Sequence, residues 1–217
     1  MKSSLPQNVT TLLIFLFLIF LSFNPSSAST KPSTSTNTST SSTNFIKKCC
    51  STTTYPMLCY ATLLPHASQI QNNPKRLATK ALVIALIEAK SAAQTTARLS
   101  KTGALKPMEK AALSDCTMAV GTSAAQLERS IEKMGGAPAW TETEMEASDV
   151  ETWTSTALTY AGTCRDAFDG SGMNGNVKLI VQRKVVKLSQ LTSNALALIK
   201  RYYVAAAKIG HHHENHP

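Results

Sequence analysis

The sequence predicts an all-α protein built as an up-and-down four-helix bundle. Three observations carry that reading. Apolar residues recur in steps of three and four through four long stretches between Pro74 and Ala207, and no five-residue strand alternation competes there. Pro, Asn or Gly punctuates each stretch, and the connections are short enough to make successive helices antiparallel neighbours. Composition agrees: 217 residues, 43% hydrophobic and 16% charged, allow one domain of ordinary size with a real core. Aromatics at 6% leave little for base-stacking platforms, and nine Gly and nine Pro are too few for a fibrous or Pro/Gly-rich disordered chain.

Residues 1–28 read as a secretory signal peptide. Lys2 supplies the positive start and Leu12–Phe23 the apolar run, which Asn24-Pro25 breaks before the small residues Ser26-Ser27-Ala28. A transmembrane anchor is the rival, but that run spans only about 18 Å as a helix, well short of a bilayer core. Cleavage near Ala28 therefore leaves no membrane segment. Residues 29–44 (STKPSTSTNTSTSSTN) cannot bury apolar surface and read as a flexible Ser/Thr-rich linker. Asn37-Thr38-Ser39 within it is an acceptor sequon for N-glycosylation; O-glycosylation or an unmodified linker are the alternatives.

The first long helix runs from Pro74 to Thr102, with Asn73 as cap, Pro74 in the first turn and Gly103 as its stop. Its middle, Ala81–Ile87, is apolar on nearly every face and should be well covered. The second spans Pro107–Met134, opens with Glu109 in its first turn, ends at Gly135-Gly136, and carries the stripe Cys116, Val120, Ala124, Leu127, Ile131, Met134. The third, about Ser148–Asp169, places Val150, Trp153, Ala157, Tyr160, Cys164 and Phe168 at helical spacing, so Trp153 and Tyr160 are expected in the core. The fourth, Asn176–Ala207, buries Val177, Val181, Val185, Leu188, Leu191, Ala195, Leu198 and Tyr202. Its other face holds Lys178, Arg183, Lys184, Lys187, Lys200 and Arg201. The tail from 209 to 217, with His211-His212-His213-Glu214-Asn215-His216, falls outside the helical pattern and reads as disordered, with weak chelation of zinc, copper or nickel as the alternative.

Secretion makes disulfides the default for the five cysteines. Cys116 and Cys164 lie on the apolar stripes of helices two and three, where a bridge would close a loop of roughly 50 residues and contribute about 4 kcal/mol in the chain-entropy model. Cys59 can close a small hairpin with Cys50 or Cys49, worth about 2.7 kcal/mol by the same arithmetic, leaving one thiol over. No CxxC pair exists, so zinc does not fit, and no cofactor is implied. His66 has no nearby Ser/Asp pair to make it a catalytic base. The formal charge of +9 comes from 22 Lys and Arg against 13 Asp and Glu. In a secreted chain without basic-aromatic interleaving it excludes nucleic acid, but the basic face of helix four suits screened attraction to an acidic partner.

At this point the motifs resemble a known family. Phe45–Cys59 (FIKKCCSTTTYPMLC) is similar to the opening of plant invertase and pectin methylesterase inhibitors: a cysteine, eight residues and a second cysteine, with Tyr-Pro just before the latter. Cys50, Tyr55-Pro56 and Cys59 fit, which leaves Cys49 as the odd thiol. Ala112-Leu113-Ser114-Asp115-Cys116 resembles the stretch at the family's third cysteine. Trp153, Ser155, Ala157-Leu158-Thr159 and Thr163-Cys164-Arg165-Asp166 resemble the one at its fourth. Met173-Asn174-Gly175 and Thr192–Leu198 look like the 21 kDa-like pectinesterase inhibitor branch. The resemblance covers residues 45–205.

It implies a bundle over 45–208 with an N-terminal helical hairpin, each held by one intramolecular disulfide, Cys50–Cys59 and Cys116–Cys164. It implies secretion to the cell wall (the apoplast), no enzymatic activity, and one-to-one binding over the pectin cleft of pectin methylesterase. Thr163 and Asp166 are the contacts carried over. Met118, Val120, Thr122 and Ala125 stand where family members place Glu, Tyr, Asp and Asp, acids implied to face the enzyme. Invertase inhibitors place Pro-Lys-Phe between helices two and three, whereas this chain has Pro138-Ala139-Trp140, without the basic residue. Three functions follow in order: an inhibitor of pectin methylesterase, an inhibitor of acid invertase, and a non-inhibitory wall protein that binds pectate.

Overall fold

The structure is a computed structural model that describes residues 35–103, 105–136, 144–169, 173 and 175–214, with side chains from 40 to 208. The signal segment 1–28, the start of the linker and Pro138-Ala139-Trp140 lie outside the described residues. The described chain is helical throughout: α1 Ser35–Cys50, α2 Pro56–Leu63, a 3₁₀ turn Leu64–His66, α3 Ala67–Ile70, α4 Pro74–Leu99, α5 Pro107–Gly136, α6 Glu144–Asp166 and α7 Asn176–Glu214. Helices α4 to α7 form the bundle. Each packs on its sequence neighbour, and α7 closes the ring on α4.

Helix ends follow the chemistry of their residues. Asn73 caps α4, its Oδ1 accepting the Arg76 N–H at 3.0 Å, with Pro74 supplying a preset φ. The helix stops at Leu99, where Ser100 and Thr102 hydroxyls donate to the carbonyls of Ala97 and Leu99. Glu109, in the first turn of α5, is buried and accepts the Lys106 N–H at 2.9 Å, a carboxylate at the positive end of the dipole.

Two boundaries differ most from expectation. Helix α1 begins at Ser35, so residues 35–44 are helical where composition points to a tether. The reason is packing. Ser42 and Ile46, one turn apart, are buried together with Cys49 and Cys50, and Asn72 donates to the Ser41 hydroxyl at 2.8 Å. Helix α7 runs on to Glu214, through three of the tail histidines, because Ala205-Ala206-Ala207-Lys208 are strong helix formers and no Pro intervenes.

The core is rich in small residues. Ala78, Ala85, Ala89 and Ala92 on α4 are fully buried, in one core with Val181, Val185, Leu188 and Ala195 of α7 and Leu113, Val120 and Leu127 of α5. On α6 the buried stripe is Val150, Thr154, Ala157, Ala161, Cys164 and Phe168, in steps of four and three. Trp153 and Tyr160 are therefore not core residues: Trp153 is half-buried and Tyr160 is 37% exposed. Thr154 and Ala161 take their places because close helix contact favours small side chains, and the Thr154 hydroxyl is satisfied by the Val150 carbonyl at 2.7 Å.

Cys50 is bonded to Cys59, joining α1 to α2, and Cys116 to Cys164, joining α5 to α6; Cys49 is a buried free thiol. Burial pushes the Cys49 thiol above its ordinary value, against the opposing pull of the Arg201 and Lys48 charges. The hairpin is fastened to the bundle by Asn194 of α7. Its Oδ1 accepts the Tyr55 N–H at 2.9 Å and its Nδ2 donates to the Tyr55 carbonyl at 3.0 Å.

Candidate functional site

Helices α5 and α6 run antiparallel along a seam whose register is fixed from end to end. The Cys116–Cys164 bond closes one end. The Ser123 hydroxyl donates to the Ala157 carbonyl at 2.9 Å, and the Thr154 and Ser130 hydroxyl oxygens lie 3.2 Å apart. Lys133 completes the other end, 3.4 Å from Glu146 and 3.9 Å from Asp149. A seam so tied is preorganised, and a partner meeting it loses little entropy in ordering it.

The outward face of α6 carries Ser148, Thr152, Ser155, Thr159 and Thr163 at helical spacing and ends at Asp166. Three of its threonines turn their hydroxyls back onto the helix: Thr156 donates to the Thr152 carbonyl at 2.8 Å, Thr159 to Ser155 at 3.1 Å and Thr163 to Thr159 at 3.2 Å. Those hydroxyls are thereby satisfied within the helix itself. The depression along Ser148, Thr152, Ser155 and Thr159 is shallow and open, a surface rather than a cleft. Asp166 is exposed at the C-terminal end of α6, an unfavourable place for a carboxylate beside the helix dipole. Arg165 compensates, its Nε and Nη2 donating to Asp166 Oδ1 at 3.2 and 3.1 Å.

Thr163 and Asp166 thus share one exposed face, three residues apart. The four α5 positions do not share one environment. Met118 is 64% exposed, Ala125 is exposed, and Thr122 lies at the surface with its hydroxyl donating to the Met118 carbonyl at 3.1 Å. Val120 is fully buried and cannot meet a partner. Asn37 lies within α1, and its side chain is outside the described residues.

Sequence reading missed two features. Arg129 of α5 sits over the Trp153 ring, 4.5 Å from its centroid, a pairing visible only once the two helices are aligned. Glu88 is buried on α4 and bound by Lys187 at 2.8 Å and Lys184 at 3.4 Å, with Lys184 also donating to the Ser91 hydroxyl at 2.9 Å. The cations expected to form one face of α7 are instead divided between its two flanks. Lys184 and Lys187 turn to α4, whereas Lys178 approaches Asp169, just past the end of α6, and Lys200 approaches Glu151 of α6, each at 3.9 Å, and Arg201 donates to the Thr52 hydroxyl at 3.4 Å.

Among the described residues no group of three His, Cys, Asp or Glu is placed to hold a metal ion, and no helix is long and apolar enough to cross a membrane. The candidate surface is the exposed face of α6. Comparison with known proteins decides its class: residues 44–198 match the family described as plant invertase/pectin methylesterase inhibitor. The chain belongs to that family.

The family's description is that of an inhibitor, not of an enzyme. The chain is 40% identical over 172 residues to the "21 kDa protein" of Daucus carota, covering 78% of this chain and 88% of that one. It is 41% identical over 166 residues to "Pectinesterase inhibitor 9" of Arabidopsis thaliana, covering 74% and 81%. A crystal structure of a mutant pectin methylesterase inhibitor from Arabidopsis superposes with a TM-score of 0.58 at 19% identity, over 71% of this chain and 95% of that one. That likeness establishes the inhibitor-family fold, a disulfide-bonded helical bundle.

Proposed function

We propose that this protein is a secreted inhibitor of plant pectin methylesterase that binds the enzyme one-to-one over its pectin cleft and stops demethylesterification in the cell wall. The observation that carries the reading is the set of relatives at 40–41% identity over most of their length, one of them named as a pectinesterase inhibitor. The leader formed by Lys2, Leu12–Phe23 and Ala28 supports export to the apoplast. The site supports a blocking role. A rigid, threonine-bearing α6 face can cover a cleft without stripping many charges of water, and Thr163 and Asp166 stand on that face as the enzyme contacts. Attachment to pectate by the α7 cations is the weaker reading, because most of them are engaged within the molecule.

The test is methanol release from methylesterified pectin by plant pectin methylesterase, titrated with the secreted protein at pH 5 and 7. The expected outcome is loss of activity that saturates at one inhibitor per enzyme. Full activity at micromolar protein against several isoforms would overturn the reading. A parallel fall in sucrose hydrolysis by acid invertase would transfer the function to that enzyme.

A further inference from the structure

We propose that Arg129, stacked on Trp153, is a specificity-determining residue of the docking face and that it reads a carboxylate on an acidic surface of the partner protein. The inference rests on the reading of the chain as a pectin methylesterase inhibitor and adds to it the chemistry of the partner's contact.

Arg129 differs from the cations around it. Lys90 pairs with Glu128 at 2.7 Å, Lys133 with Glu146 and Asp149, and Lys184 and Lys187 with Glu88. Arg129 is exposed and has no carboxylate within ion-pair distance among the described residues; its one recorded contact is the indole ring. Stacking covers one face of the guanidinium and fixes its plane but leaves the N–H edge open, the edge that grips a carboxylate in bidentate fashion.

The approach to that edge is clear. One and two turns back along α5 stand Ala125 and Thr122, both small, then exposed Met118. Between Asp115 and Glu132 the only carboxylate on α5 is Glu128, which turns to Lys90 on the opposite flank. Across the seam, Tyr160 is 37% exposed two turns from Trp153. Arg, Trp and Tyr grouped on a rigid seam are the residue types that anchor protein interfaces. With no ion-pair partner of its own among the described residues, the Arg129 guanidinium can take a carboxylate from an acidic patch of the partner.

The experiment measures binding of the secreted protein and its R129Q, R129K and R129E variants to pectin methylesterase at low and moderate salt. Thermal melting and retention on polygalacturonate are followed alongside. Removing the guanidinium in R129Q should weaken the complex about 10- to 100-fold and flatten its salt dependence. R129K should keep most of the salt dependence while losing part of the affinity, and R129E should bind worst. Melting should shift by no more than about 2–4 °C, the scale of one exposed cation–π contact in a domain of this size. Wild-type affinity in R129Q, with the parent protein binding normally, would overturn the proposal and leave the inhibitor reading intact. A parent protein that binds no pectin methylesterase would sink the reading itself. Loss confined to polygalacturonate retention would also overturn the proposal, assigning Arg129 to a uronate chain.

Discussion

The two opposite seams of the bundle solve the same packing problem with different chemistry. Between α4 and α7 a buried carboxylate, Glu88, is held by two lysines that reach in from the surface. Between α5 and α6 the buried polar groups are hydroxyls and the clamp is a disulfide, while Arg129 is left without a carboxylate. The first seam consumes its charges internally. The second pairs Lys133 with Glu146 and Asp149 at one end but leaves Arg129 unpaired among the described residues, open to a partner. A surface cation informs about binding only after its internal partners have been counted.

The sharpest way to break that comparison is to open the disulfide. Replacing Cys116 and Cys164 together by Ala should cost about 4 kcal/mol by the chain-entropy arithmetic, read as a large drop in melting temperature and loss of inhibition. Wild-type melting would mean that the hydroxyls alone hold α5 to α6.

The α4–α7 seam should respond asymmetrically. Lys184→Ala with Lys187→Ala strands a buried carboxylate and should cost about 3 kcal/mol. Glu88→Gln leaves two lysines that extend into water and should cost about 1 kcal/mol. Equal melting shifts would show that the carboxylate is better hydrated than its burial indicates.

Next comes the tie between hairpin and bundle. Asn194→Ala removes two hydrogen bonds to Tyr55 and should cost about 2 kcal/mol, with faster proteolysis of the hairpin than of α4–α7. Proteolysis spread evenly over the chain would mean that hairpin and bundle unfold as one unit. On the α6 face, Thr163→Trp should weaken inhibition while leaving the melting temperature within experimental error, since Thr163 is exposed. If both fall together, the position is structural.

The smallest effect concerns Cys49. Its raised pKa means that the folded state keeps the proton longer than the unfolded chain does. Stability from this group is complete below the ordinary value of 9.0 and declines as pH rises through the higher folded value. Alkylation at pH 8 should be slow in the native protein and fast in denaturant. Rapid native labelling would show the hairpin opening on its own.

Much of this was legible in sequence because it depends on local order. The Asn73 cap, the Pro74 and Pro107 starts, the stripe of α5 and the stripe of α7 all follow from residues within a turn or two of each other. What escaped depends on alignment between helices. Trp153 and Tyr160 have the right spacing for a core stripe, but Thr154 and Ala161, one position further on, have it too. Only the close approach of α5 selects the smaller pair. Glu88 follows directly on the apolar run Ala81–Ile87, and its role shows only when Lys184 and Lys187, nearly a hundred residues away, are set beside it. The basic face of α7 dissolved for the same reason. On the partner-binding face, Thr163 and Asp166 were visible through motif likeness, whereas Arg129 carried no motif.

The back-turned hydroxyls of α6 have a calorimetric consequence. A surface that reads as polar by composition offers a partner few free hydroxyl protons, because those of Thr156, Thr159 and Thr163 are already spent on carbonyls of the helix itself. Covering it should therefore register as the burial of apolar surface, a negative heat-capacity change on association. Serine at those three positions, with the same hydroxyls and no methyls, would shrink that signal while leaving the helix and its hydrogen bonds in place.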